Sequence, residues 1–172
     1  MLGDLTEKVQ SSQNAFERLV SRIPGFGGYK QKEQRREADK LLRLYVARQY
    51  EEQLGRLNGV QAELASQGDL RTLLALERAT TKLQLLIDRL KNASYGYSGL
   101  FDAVKVDESA LDRLYEFDRN MVDGAATIAA ALDKLSGAVS LQQSASAEAR
   151  ELTTVLEELN ATFSRRQDVI LE

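Results

Sequence analysis

The chain has 172 residues, 23 Lys and Arg against 26 Asp and Glu, and neither histidine nor cysteine. That composition excludes a Ser-His-Asp triad, a Cys-His pair, a Glu-x-x-His di-iron set, disulfides and thiolate metal sites. A 43% hydrophobic content, a single proline and abundant Ala, Leu, Glu, Arg and Gln fit one all-helical domain, long enough to bury about two thirds of its unfolded surface.

The first element runs from about Asp4 to Arg22, with Leu5, Val9, Phe16, Leu19, Val20 and Ile23 on one stripe. Ile23-Pro24-Gly25 ends it, because proline disfavours helical geometry in the preceding residue. Residues 24–29 form a Pro/Gly hinge, with further glycines at 27 and 28. The second helix spans about 30–66, its apolar positions at Ala38, Leu42, Val46, Tyr50, Leu54, Leu57, Val60 and Leu64. Gly55 and Gly59 lie four apart in it and predict either close packing of a neighbouring helix or a local soft point.

Gln67-Gly68-Asp69 reads as a tight turn, Gly68 ending one helix and Asp69 capping the next. The third helix, 69–93, carries so many leucines that its apolar arc must face more than one partner. Residues 94–107 break the pattern with two glycines, and Tyr95, Tyr97, Leu100 and Phe101 predict an anchored loop. The fourth helix spans 108–136 through Leu111, Leu114, Val122, Ala125, Ile128, Leu132 and Leu135, with Ser136-Gly137 expected to close it. The fifth spans 139–171, with Leu152, Leu156, Leu159 and Phe163 at heptad-like spacing. The fold expectation is therefore all-α: an up-and-down antiparallel bundle of four long helices plus an N-terminal amphipathic helix over 1–23.

Little catalytic chemistry is legible. Carboxylate pairs such as Glu51-Glu52 and Glu157-Glu158 sit at surface phases among basic residues, as solvated helix faces do. The glycine loop "PGFGGYK" precedes a helix but lacks the P-loop spacing and a preceding strand, so it reads as an interhelical turn. No cofactor and no metal site is expected. One enzyme or ligand-binding reading stays open, a pocket formed by Tyr95, Tyr97 and Phe101 with Arg113 or Tyr115 nearby.

The functional signal is electrostatic. Residues 18–48 hold nine Lys and Arg against three acidic residues in a chain whose net charge is −3. Lys30, Lys32, Arg35 and Arg36 occupy the first turns of a helix, where the macrodipole already disfavours cations. Together with Lys40 and Arg43 they are the candidate contacts to an acidic partner or anionic surface, and Phe16, Leu19 and Ile23 are the candidate apolar anchor. The bland account is that these cations pair with Glu33, Glu37 and Asp39 on a solvated face. Nucleic acid ranks below these readings, because aromatic side chains are not interleaved with the cations and the net charge is negative.

The stretch "IPGFGGYKQKEQRREADKLLR" resembles a signature of small, uncharacterised all-helical proteins of bacteria. That resemblance implies no activity, ligand or catalytic residue. On architecture alone, an amphipathic helix before a long helical hairpin is also similar to membrane-remodelling proteins of the phage-shock and ESCRT type. The expectation is a non-enzymatic interaction or scaffold protein of the bacterial cytoplasm. It would bind a protein partner or self-associate through its long helices. The alternative is peripheral attachment to the inner membrane.

Overall fold

The computed structural model describes residues 32–93 and 108–171, with side chains over 40–93 and 116–165. Four helices occupy these residues: α1 (Lys32–Gln67), α2 (Leu70–Asn92), α3 (Glu108–Ser140) and α4 (Ser146–Leu171). There is no strand among the described residues. The N-terminal helix expected over 4–22, the hinge at 24–29 and the loop at 94–107 lie outside them.

The α1–α2 turn forms as its residues predict. Gly68 takes φ 76°, and the Asp69 amide donates back to the Leu64 carbonyl at 3.1 Å. Asp69 then accepts from the Thr72 amide at 3.0 Å, capping α2. Hydrogen bonds from the Thr72 side chain and amide hold the Asp69 carboxyl below its ordinary value.

The second turn departs from expectation. α3 does not stop at Ser136-Gly137 but continues to Ser140, and α4 begins at Ser146 instead of Val139. The reason is apolar: Val139 is buried and Ala138 packs on the core, so the helix is carried through Gly137 to seat them. Reversal falls on Gln142, at φ 54°, with the Gln143 amide donating to Ala138 at 2.9 Å.

α1 packs on α2 and α3, and α4 packs on the same two helices, so α1/α4 and α2/α3 stand at diagonal corners. The two hairpins α1–α2 and α3–α4 are antiparallel. Between hairpins the neighbours run parallel: Tyr50 meets Met121 and Gln67 meets Val139 along α1/α3, while Lys82 and Arg89 meet Asn160 and Ser164 along α2/α4. A bundle with every neighbour antiparallel is thus replaced by two antiparallel hairpins laid side by side.

The interior is the leucine stripe read from the sequence. Leu42, Val46, Tyr50, Leu57, Val60 and Leu64 of α1 are buried, as are Leu152, Leu156, Leu159 and Phe163 of α4. The wide arc of α2 divides: Leu76, Leu83, Leu86, Ile87 and Leu90 face the core, whereas Leu70, Leu74 and Leu85 are exposed.

At the centre, Tyr50 is fully enclosed and its hydroxyl donates to the Met121 carbonyl at 2.6 Å. Gly124 makes room for it, since a Cβ there would lie 2.5 Å from Tyr50 Oη and 2.7 Å from Leu159 Cδ2. Gly55 and Gly59 are the opposite case. Both are exposed and a Cβ at either meets nothing within 4 Å, so none of the described helices packs closely on them.

Two substitutions check this distinction by urea unfolding. Gly124→Ala costs about 1–3 kcal/mol through overpacking, more than the ~1 kcal/mol alanine gains over glycine inside a helix. Gly55→Ala combined with Gly59→Ala raises stability by about 1–2 kcal/mol, because only the propensity gain operates there.

Candidate functional site

The candidate site is the N-terminal third of α1. Lys32, Arg35 and Arg36 lie within its helical residues, so they ride on the turns where unpaired N–H groups make the helix end positive. Lys40 is exposed. Lys30 precedes the described residues, as do the proposed anchors Phe16, Leu19 and Ile23.

Arg43 does not belong with the exposed cations. It is only 6% exposed, and its Nη1 donates to the Leu90 carbonyl at 2.8 Å. Leu90 lies in the last turn of α2, where carbonyls lack intrahelical partners and the helix end is negative. Arg43 is therefore a cap supplied to α2 by α1, which explains a cation sitting one position beyond the apolar Leu42. A side chain held in that contact is not available to an outside anion.

In its place the structure puts two leucines beside the cations. Lys40, Leu41, Leu44 and Arg48 fall within one outward arc of α1, at offsets of one, four and eight residues. Leu41 and Leu44 are each 40% exposed, whereas Leu42 between them is buried. The three-four apolar stripe of α1 runs through Leu42 and leaves Leu41 and Leu44 outside it. That exclusion is the signal for them available in the sequence.

A second polar feature, absent from the sequence expectations, lies on the α2/α4 seam. Arg89 donates to the Asn160 carbonyl at 3.1 Å, to its side-chain oxygen at 3.2 Å and to Ser164 Oγ at 2.7 Å. Its guanidinium also stands 4.8 Å from the Phe163 ring centre. Asn160 Nδ2 donates to the Lys82 and Leu156 carbonyls, tying both helices. Burial pulls the Arg89 pKa down from its ordinary value. Every one of these contacts is within the bundle, so the network sets register and is not aimed at a ligand.

Further interhelical ion pairs are exposed or partly exposed: Arg56 with Asp133, Arg78 and Lys82 with Glu157, Lys91 with Glu51, and Lys134 with Glu151. Each contributes under about 1 kcal/mol. Among the described residues no group of three or more acidic side chains is placed to hold a metal ion, and no helix is long and apolar enough to cross a membrane. The pocket expected from Tyr95, Tyr97 and Phe101, and the side chains of Arg113 and Tyr115, lie outside the described residues. Compared with protein-family models, curated proteins and solved structures, the chain gives no match.

The reassignment of Arg43 is checked by stability. Arg43→Met costs about 1.5–3 kcal/mol, the worth of a buried hydrogen bond from a charged donor. Lys40→Met, on the solvent face, changes stability by less than about 0.5 kcal/mol in the same denaturation assay.

Proposed function

We propose that this protein is a non-enzymatic helical interaction module that docks an acidic protein partner on the front of α1. The observation that carries the reading is the outward arc Lys40, Leu41, Leu44 and Arg48, continuous in sequence with Lys32, Arg35 and Arg36 at the helix start. Cations on the first turns of a helix are unfavourable by a few tenths of a kcal/mol each. An anionic contact offsets that cost, while the flanking leucines supply apolar area that a purely solvated face has no use for.

The bundle behind this face supports the reading by what its polar groups do. Arg43, Arg89, Asn160 and Tyr50 all bond to neighbouring helices, which makes the module a rigid support for a surface. The outer face of α2 adds a route to self-association, since Leu70, Leu74 and Leu85 are 64%, 65% and 50% exposed. Leu70 and Leu74 stand one turn apart, and Leu85 lies three turns further along the same face beyond the exposed Arg78 and Thr81.

A second reading rests on the same arc. Leucines beside cations on one helix face also suit the headgroup region of an anionic bilayer, where each cation adds up to about 1 kcal/mol.

Charge reversal tests the first reading. In the full chain, Arg35→Glu with Arg36→Glu lowers capture of acidic partners from a native lysate by about tenfold or more, with an unchanged circular dichroism melt. Unchanged capture removes the basis for it. Flotation with phosphatidylserine vesicles at low and high salt separates the readings, because salt-sensitive flotation lost in that variant assigns the arc to a membrane. For the α2 face, Leu74→Lys with Leu85→Lys abolishes concentration-dependent association in sedimentation while leaving stability within about 0.5 kcal/mol.

A further inference from the structure

Leu74 and Glu77 stand three residues apart on α2, and Leu85 and Asp88 repeat the pair eleven residues later. Eleven residues make three turns of a helix, so the four share one face, and all four are exposed. The carboxylates on that strip are not answered within the bundle. Arg78 and Lys82 turn to Glu157, Lys91 turns to Glu51, and Arg89 bonds across to α4, whereas Arg71 lies in the first turn beside the Asp69 carboxylate. These are all five cations of α2. Neither Glu77 nor Asp88 has an ion-pair partner among the described residues.

The front of α1 carries the opposite pattern: Leu41 and Leu44, both exposed, lie between Lys40 and Arg48. Along the helix the two cations are about 12 Å apart and the two carboxylates of α2 about 16 Å apart, a difference within the reach of long lysine and arginine side chains. The strips cannot meet inside one chain. The Arg43 bond to the Leu90 carbonyl and the Lys91–Glu51 pair fix α1 against α2 with both strips outward.

We infer, on the reading of α1 given above, that its acidic partner is a second copy of this chain, which presents the Leu74, Glu77, Leu85 and Asp88 strip of its own α2. Charge selects this pairing. Two α2 strips set face to face oppose carboxylate to carboxylate and two α1 strips oppose cation to cation, whereas α1 on α2 joins opposite charges and buries leucine against leucine. The two strips belong to different helices, so the contact is heterologous: each copy offers an α1 strip to one neighbour and an α2 strip to the other. Association of that kind runs on into a ring or an open chain, not a closed two-fold dimer. The cations of α1 and the leucines of α2 are thereby halves of one interface.

Sedimentation velocity of the full chain tests this with two charge-reversed variants, Lys40→Glu with Arg48→Glu on α1 and Glu77→Lys with Asp88→Lys on α2. All four positions are exposed, so both variants keep the native circular dichroism melt. The native chain grows past the dimer as its concentration rises and recedes at high salt. Each variant alone needs about tenfold or more protein to associate, because its two strips now carry like charge. Mixed in equal amounts, the two variants co-assemble at native concentrations, since each then supplies the strip that the other lacks. A mixture that stays monomeric overturns the inference, as does native association by the Lys40→Glu, Arg48→Glu variant alone. A native chain that is monomeric at every concentration overturns it too. In that case lysate capture separates the two proposals: loss of capture in Arg35→Glu with Arg36→Glu leaves the acidic-partner reading of α1 standing, and unchanged capture removes both.

Discussion

The Tyr50 hydroxyl and the Met121 carbonyl are the contact on which the arrangement of this bundle turns. A phenol buried without a partner is costly, so Tyr50 must reach an acceptor inside the core, and the one it reaches belongs to α3. The missing side chain of Gly124 lets α3 come near enough, with Leu159 of α4 closing on the same spot. Burial pushes the Tyr50 pKa well above its ordinary value, so the hydroxyl keeps its proton and goes on donating. Tyr50 of α1, Met121 and Gly124 of α3 and Leu159 of α4 thereby set how the second hairpin lies on the first.

From that contact the rest follows by geometry. With α3 beside α1, α4 falls beside α2, and both inter-hairpin seams run parallel. Parallel seams align carbonyls and side chains at a near-constant offset, which the two helix pairs use differently. Along α2/α4 the space is filled by Arg89, Asn160, Ser164 and Phe163. Along α1/α3 the alanines of α3 leave it open. The open seam is thus a consequence of where a small-residue helix was placed.

Charge shows the same division between fold and surface. Arg43 and Lys40 are three residues apart on one helix, yet one caps the C-terminal end of α2 from inside and the other points to solvent. Both are cations on neighbouring turns, and their charge alone does not distinguish them. The distinction comes from the angle each occupies relative to α2, and it removes one cation from the outward face while leaving Lys40 with Leu41, Leu44 and Arg48.

By itself the sequence determined the helical class, the Gly68-Asp69 turn and most of the core, because three-four apolar spacing and capping chemistry are local properties. Leu42 to Leu64 on α1 and Leu152 to Phe163 on α4 could be placed from periodicity alone. The end of α3 could not, since the pull of Val139 into the core outweighs a glycine that reads as a stop. Tertiary structure alone decided which helices are neighbours, that Gly124 touches Tyr50 while Gly55 and Gly59 meet none of the described helices, and that Arg43 faces inward. Those outcomes depend on contacts between residues some 50 to 80 positions apart, and a helical pattern fixes which face is apolar without fixing which helix covers it.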